Sequence, residues 1–185
     1  MFLFVGLGNF GKEYENTKHN VGFIIADKFI REYNFSNSGN KFHSEVFTGS
    51  INCEKCIIIK PQTYMNRSGI AVSEVAKFYK IPLENIYVFH DDLDLTLGNL
   101  KYKVGGGAGG HNGLKSIDEM NGKEYHRIRI GIGRPEFGDV ADYVLKKFTE
   151  DDRIVIENIC DKIVNNANLL LNNKELFLTR VKGNI

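Results

Sequence analysis

Short apolar runs of strand length alternate along this chain with stretches whose apolar residues recur at helical spacing, and few architectures accept that alternation. Residues 2–7 (FLFVGL) and 86–90 (IYVFH) read as strands buried on both faces. Residues 45–51 and 55–60 read as a pair of strands, and 100–104 (LKYKV) and 127–132 (RIRIGI) alternate as half-exposed strands do. Val21, Ile24, Ile25, Phe29, Ile30 and Tyr33 predict a helix over 20–33. Ile70, Val75, Phe78 and Tyr79 predict another over 68–80, closed by Pro82. Residues 34–41 read as turn, and a short helix is expected after the glycines at 105–113. A final helix starts at Thr149 with Glu150, Asp151 and Asp152 in its first turn, and Ile156, Ile159, Ile163, Ala167 and Leu170 continue it. The expected fold is α/β: one three-layer domain over residues 1–185, with a mixed, mostly parallel twisted sheet flanked by helices. The hairpin-like 45–60 pair is what makes the sheet mixed.

Several function classes drop out early. No apolar run approaches the ~20 residues of a membrane helix. The start, MFLFVGLGNFG, lacks the basic residues and small-residue cleavage site of a signal peptide, so a cytoplasmic protein is expected. Cys53 and Cys56 form a lone C-x-x-C inside INCEKCIIIK; with no second pair, it reads as a turn with reduced thiols rather than half a zinc site. The net charge of +1 excludes a globally basic nucleic-acid binder. Yet Asn99 to Pro135 holds seven basic side chains (Lys101, Lys103, Lys115, Lys123, Arg127, Arg129, Arg134) against three acids, a net +4 that leaves −3 for the rest. That is either a patch for a partner presenting a few phosphates or a solvated charged surface.

Three clusters follow strands. GLGNFG (6–11) has the letters of a dinucleotide fingerprint without its context: KEYENTKH delays the helix, and Asp27 falls inside a helix rather than ending a second strand. It reads instead as a sharp turn presenting Asn9. GGGAGGHNG (105–113) enters a helix and could cradle a phosphate, although no Gly-Lys-Ser/Thr follows. So many glycines cost order, which implies that something approaches this backbone closely. HDDLDL (90–95) could hold Mg²⁺ or Zn²⁺, but its spacing matches no known ligand pattern; an Asp at a strand end orienting a histidine is the other reading.

Among His19, His43, His90, His111 and His126, His19 has the best claim to chemistry. It precedes a predicted helix, whose positive end disfavours imidazolium and so favours a neutral base. No G-x-S-x-G elbow is present, which leaves water as the nucleophile. If the strands before Asn9, Asn66 and Asp91 are parallel, all three residues share one sheet edge, where α/β domains bind ligands.

GLGNFG with Tyr14 and His19-Asn20, KPQTYMNRSG, HDDLDL, GGGAGGHNGLKS and HRIRIGIGRP, in this order, resemble the bacterial-type peptidyl-tRNA hydrolase family from residue 2 to about 148. The C-terminal helix matches in position only. The resemblance implies a monomeric, metal- and cofactor-free esterase that releases peptide from peptidyl-tRNA. By position it implies His19 as the base, Asp91 as its orienting carboxylate, and Asn9 as a discriminator of blocked from free aminoacyl groups. Tyr14, Tyr64, Asn66 and Asn112 would line the site for the peptide and the tRNA 3′ end, and Lys103 and Arg129 would clamp the 5′ phosphate of the tRNA. One letter departs from the family: Phe10 replaces the proline of the first loop. Some relatives of this fold serve RNA splicing as binding partners; a pure binder has no need of His19, Asp91, Asn9 and Asn112 together.

Overall fold

The computed structural model describes residues 1–183. Seven strands form one sheet: β1 (Phe2–Gly6), β2 (Ser36–Lys41), β3 (Ser44–Ile51), β4 (Glu54–Pro61), β5 (Ile86–Asp92), β6 (Leu100–Val104) and β7 (His126–Gly131). Their spatial order is β2-β3-β4-β1-β5-β7-β6. The central four are parallel, and β2, β3 and β6 pair antiparallel at the flanks. The sheet is therefore mixed with a parallel centre, as the sequence predicts.

Strand alternation divides the core in two. Phe4, Ile58, Tyr87, Phe89 and Ile128 point to a face covered by α1 (Val21–Glu32), α5 (Glu150–Asn165), α6 (Ala167–Asn172) and α7 (Lys174–Lys182). Leu3, Val5, Ile57, Ile59 and Val88 point to the other, under α2 (Ser68–Tyr79) and α3 (Asn112–Asn121). Neighbouring strand residues thus bury opposite sides, which gives the three layers.

Three expectations need correction. Residues 36–41 (SNSGNK) form edge strand β2 rather than turn, with a register shift between Asn37 and Asn40. An edge strand buries little, so no apolar pattern marks it. The long C-terminal helix is three helices: Asn166 leaves helical geometry after α5, and Asn173 caps α7 by accepting from Leu176 N–H. The apolar spacing through Ala167 and Leu170 continues across the break because both sides pack on the same core. A short helix, α4 (Val140–Val144), is an addition. The cysteine turn is as expected: Asn52 and Cys53 both take positive φ between β3 and β4, and Cys53 and Cys56 are free. No helix among the described residues is long and apolar enough to cross a membrane.

Candidate active site

Because β1, β4 and β5 run parallel side by side, their carboxyl ends open on one edge of the sheet. The chain leaves β1 through α1 on one face of the sheet and leaves β4 through α2 on the other, which makes this edge a topological switch point. Asn9, Asn66 and Asp91 all emerge there. Asp91, near the end of β5, is buried and faces two imidazoles. His19 Nδ1 lies 2.9 and 3.0 Å from its two oxygens, and His111 Nε2 lies 2.9 Å from Oδ1. Burial alone would raise this carboxyl's pKa; the facing His19 and His111 reverse the effect and hold it well below the ordinary range.

His111 also caps α3, its Nδ1 accepting from the N–H groups of Gly113 and Leu114 at 3.1 and 3.3 Å. That nitrogen therefore carries no proton, so Nε2 is the N–H that donates to Asp91. His19 donates from Nδ1 to the same carboxylate, which turns its Nε2 away from Asp91, and its ring lines the main cavity. His90 packs behind, donating from Nδ1 to the Asp91 carbonyl at 2.8 Å. Burial, aided by the nearby His111, pushes its pKa down to about 3 and keeps it neutral.

Donor atoms of His19, Asp91 and His111 lie close enough to surround a cation. The hydrogen bonds oppose that use, because the His111 nitrogen facing Asp91 holds a proton where a ligand needs a lone pair. The other acids of HDDLDL diverge: Asp92 accepts from Arg129 Nε at 2.6 Å, and Asp94 accepts from Arg134.

Asn9 is buried and fixed from three directions. Its N–H donates to Asn20 Oδ1 at 2.9 Å, its carbonyl accepts from Asn20 Nδ2 at 2.8 Å, and its Oδ1 accepts from Met65 N–H at 2.9 Å. Asn9 Nδ2 donates to no protein group among the described residues. The Phe10 ring packs on Tyr64 with centroids 5.2 Å apart.

A cavity of about 740 Å³ collects His19, Asp91, Lys103, Asn112 and Arg129. Asn9 lines a separate depression with Phe10, Asn20 and Gln62. Tyr64 and Asn66 are exposed beside Met65, reaching the site through the Asn9–Met65 bond rather than by lining either cavity. Tyr14 lies in the turn before His19, where its backbone carbonyl accepts from Thr17.

The basic stretch is more finely divided than its charge count suggests. Arg127 is buried and donates to the carbonyls of Gly107 and Gly106 and to Asp118, at 2.9, 3.1 and 2.9 Å. It is what approaches the carbonyls of the glycine loop, so Arg127 is not a surface cation. The N–H groups of Gly113 and Leu114, which would serve a phosphate at α3, are taken by His111. Lys101 and Lys103 stay exposed on β6, opposite Arg129 and Arg127. Sequence reasoning missed the roles of His111 and Asn20, although both adjoin residues it selected.

This is an α/β domain with a His–Asp pair at the carboxyl edge of its sheet, opening on a cavity shared with Asn112, Lys103 and Arg129. A family model described as peptidyl-tRNA hydrolase matches residues 3–183 and so includes the C-terminal helices. Proteins named peptidyl-tRNA hydrolase from Rickettsia bellii (strain RML369-C) and Rickettsia prowazekii (strain Madrid E) are 54% and 49% identical to it over 176 residues, covering 94% of this chain and 95% of each relative. The crystal structure of peptidyl-tRNA hydrolase from Acinetobacter baumannii superposes with a TM-score of 0.93 at 36% identity, covering 99% of this chain and 95% of that one. The chain belongs to the peptidyl-tRNA hydrolase family.

Proposed function

We propose that this chain hydrolyses the ester joining a peptide, or an N-blocked aminoacyl group, to the 3′ ribose of tRNA, with His19 as the general base. The observation that carries the reading is His19 bonded through Nδ1 to buried Asp91 while its ring lines an open cavity. His19 Nε2 takes a proton from water as the water oxygen bonds to the ester carbonyl carbon. The negative oxygen that forms needs a hydrogen-bond donor from the site. The carbon–oxygen bond to ribose then breaks, and the imidazolium returns its proton to the leaving oxygen. Asp91 holds the ring in the productive tautomer and stabilises its charged form.

Asn9, Asn66 and Asn112, with Tyr14 and Tyr64, offer neutral polar groups that suit the peptide and the tRNA 3′ end. Lys103 and Arg129 suit the 5′ phosphate. A monomer is the expected state. The substrate class makes the cytoplasm the place of action. Incubation with N-acetyl-aminoacyl-tRNA in EDTA tests it. Release of free tRNA is the expected result; tRNA binding without release would return the chain to the binding-module reading, and activity abolished by the chelator would implicate a metal.

A further inference from the structure

Lys18 shares with His19 the single 3₁₀ turn Lys18–Asn20 that leads into α1, and its side chain is turned inward. A lysine only 7% exposed is rare without partners. Its ammonium donates to Asp152 Oδ2 at 3.1 Å, in the first turn of α5, and lies 4.8 and 5.1 Å from the ring centroids of Phe148 and Tyr143. The Tyr143 ring and the backbone of Asp152 are themselves anchored. Tyr143 OH donates to the Ile132 carbonyl just after β7, and Asp152 N–H donates to the capping Thr149 hydroxyl.

The backbone repeats the connection. Lys18 N–H donates to the Lys146 carbonyl, Phe148 N–H donates to the Asn16 carbonyl, and Thr17 pairs with Lys147 as an antiparallel bridge. The turn is thus stitched to residues 143–152 on one side, while the His19 ring reaches Asp91 on the other. The Asp91 bond orients the ring and the Asn20–Asn9 pair holds the far end of the turn, so the Lys18 end is the part placed by the contacts with residues 143–152. A displacement of about 1 Å at a reacting group can cost on the order of 100-fold in rate.

We infer that Lys18 is a positioning residue: its buried ammonium, clamped between Asp152 and the rings of Phe148 and Tyr143, sets the place of the turn from which His19 meets Asp91. The inference rests on the reading of His19 as the base. Asp152 responds as a genuine partner, its carboxyl held below the ordinary range by Lys18 against the opposing effect of burial.

A lysine of the same kind provides the control. Lys28 ties α1 to α5 through Asp161 and is also mostly buried, but lies in the body of α1, about two turns beyond its start at Val21. The experiment measures kcat and KM on N-acetyl-aminoacyl-tRNA, per folded molecule, for Lys18→Met, Lys18→Arg, Asp152→Asn, Lys28→Met and His19→Asn. Lys18→Met is expected to lose about tenfold or more in kcat with KM within about twofold, a fraction of the penalty for a misplaced group. Lys18→Arg, which keeps the cation, should recover most of it, and Asp152→Asn should fall between. Lys28→Met should lose stability while keeping kcat. Should Lys18→Met fail to fold, the Asp152→Asn and Lys18→Arg pair carries the same comparison. A wild-type kcat in Lys18→Met or Asp152→Asn beside an inactive His19→Asn overturns this inference alone, and so does an equal kcat loss in Lys28→Met. An active His19→Asn overturns the base assignment and this inference with it.

Discussion

Asn9 enters the site with half of its amide committed, because Oδ1 accepts from Met65 N–H and only Nδ2 remains to be given. Among the described residues the structure leaves the Nδ2 donor without a protein partner. An amide carbonyl in a peptidyl substrate can accept that N–H, whereas the ammonium of a free aminoacyl group cannot. Asn9→Asp keeps an acceptor for Met65, removes the donor and buries a negative charge. It should lower kcat/KM on N-acetyl-aminoacyl-tRNA and narrow its advantage over aminoacyl-tRNA. An unchanged ratio would move selectivity to Asn66 or Asn112. His19, Asp91 and Asn9 are legible in the chain because each follows or precedes an element whose periodicity is clear. His111 is not, since histidine is a poor capping signal in sequence and its tautomer follows only from seeing Gly113 and Leu114 point at Nδ1. Arg127 is the opposite case: a charge count treats it like Lys103, and only the path of the glycine loop shows that it is enclosed.

Helix α1 reaches the sheet through Gly22. A Cβ there would fall 2.4 Å from both Leu7 N and Phe89 O, the two atoms whose hydrogen bond joins the ends of β1 and β5. Only glycine lets the helix come so near, and that closeness brings the turn of His19 over Asp91. Gly22→Ala should therefore cost about 1–3 kcal/mol or more, lower Tm by about 5 °C or more, and reduce kcat, since the overlap is with backbone that cannot yield. A Tm equal to wild type would contradict the close approach. The elements that sequence patterns reveal are those packed on both faces or at a clear period, such as β5 and α1. Strand β2 is hidden because SNSGNK satisfies its backbone against β3 while burying almost nothing. The break at Asn166 is hidden because the apolar face of α5 and α6 stays in register with one core across it.

Charge over the whole molecule is nearly balanced, so binding of tRNA depends on where cations are left free. Arg134, Arg129 and Arg127 are each paired with an acid, while Lys103 is exposed at the cavity. Lys103→Ala and Arg129→Ala should each weaken substrate binding and flatten its salt dependence by about one phosphate contact. Arg129→Ala should cost more, because it also releases the Asp92 charge toward the phosphate. Substrate lacking the 5′ phosphate should make Lys103→Ala nearly silent; equal losses on both substrates would show the clamp is misassigned. Acid should unfold the protein progressively. The pKa of His90 falls from 6.5 to about 3 on burial, so between those values the unfolded chain binds a proton that the folded chain refuses. Stability therefore falls as pH drops from about 6.5 toward 3, and the buried His126 adds in the same direction. Depressed Asp91 adds a further loss below the ordinary carboxylate pKa. His90→Asn, which keeps a donor for the Asp91 carbonyl and does not titrate, should flatten the slope of stability against pH in that window; an unaltered slope would mean His90 is not the group responsible. The most direct test of the whole account is the single-turnover rate of His19→Asn on N-acetyl-aminoacyl-tRNA, with tRNA affinity and thermal unfolding measured on the same preparation. The account predicts a rate reduced by about 10²–10⁴-fold with affinity and Tm close to wild type, and a near-normal rate would contradict it.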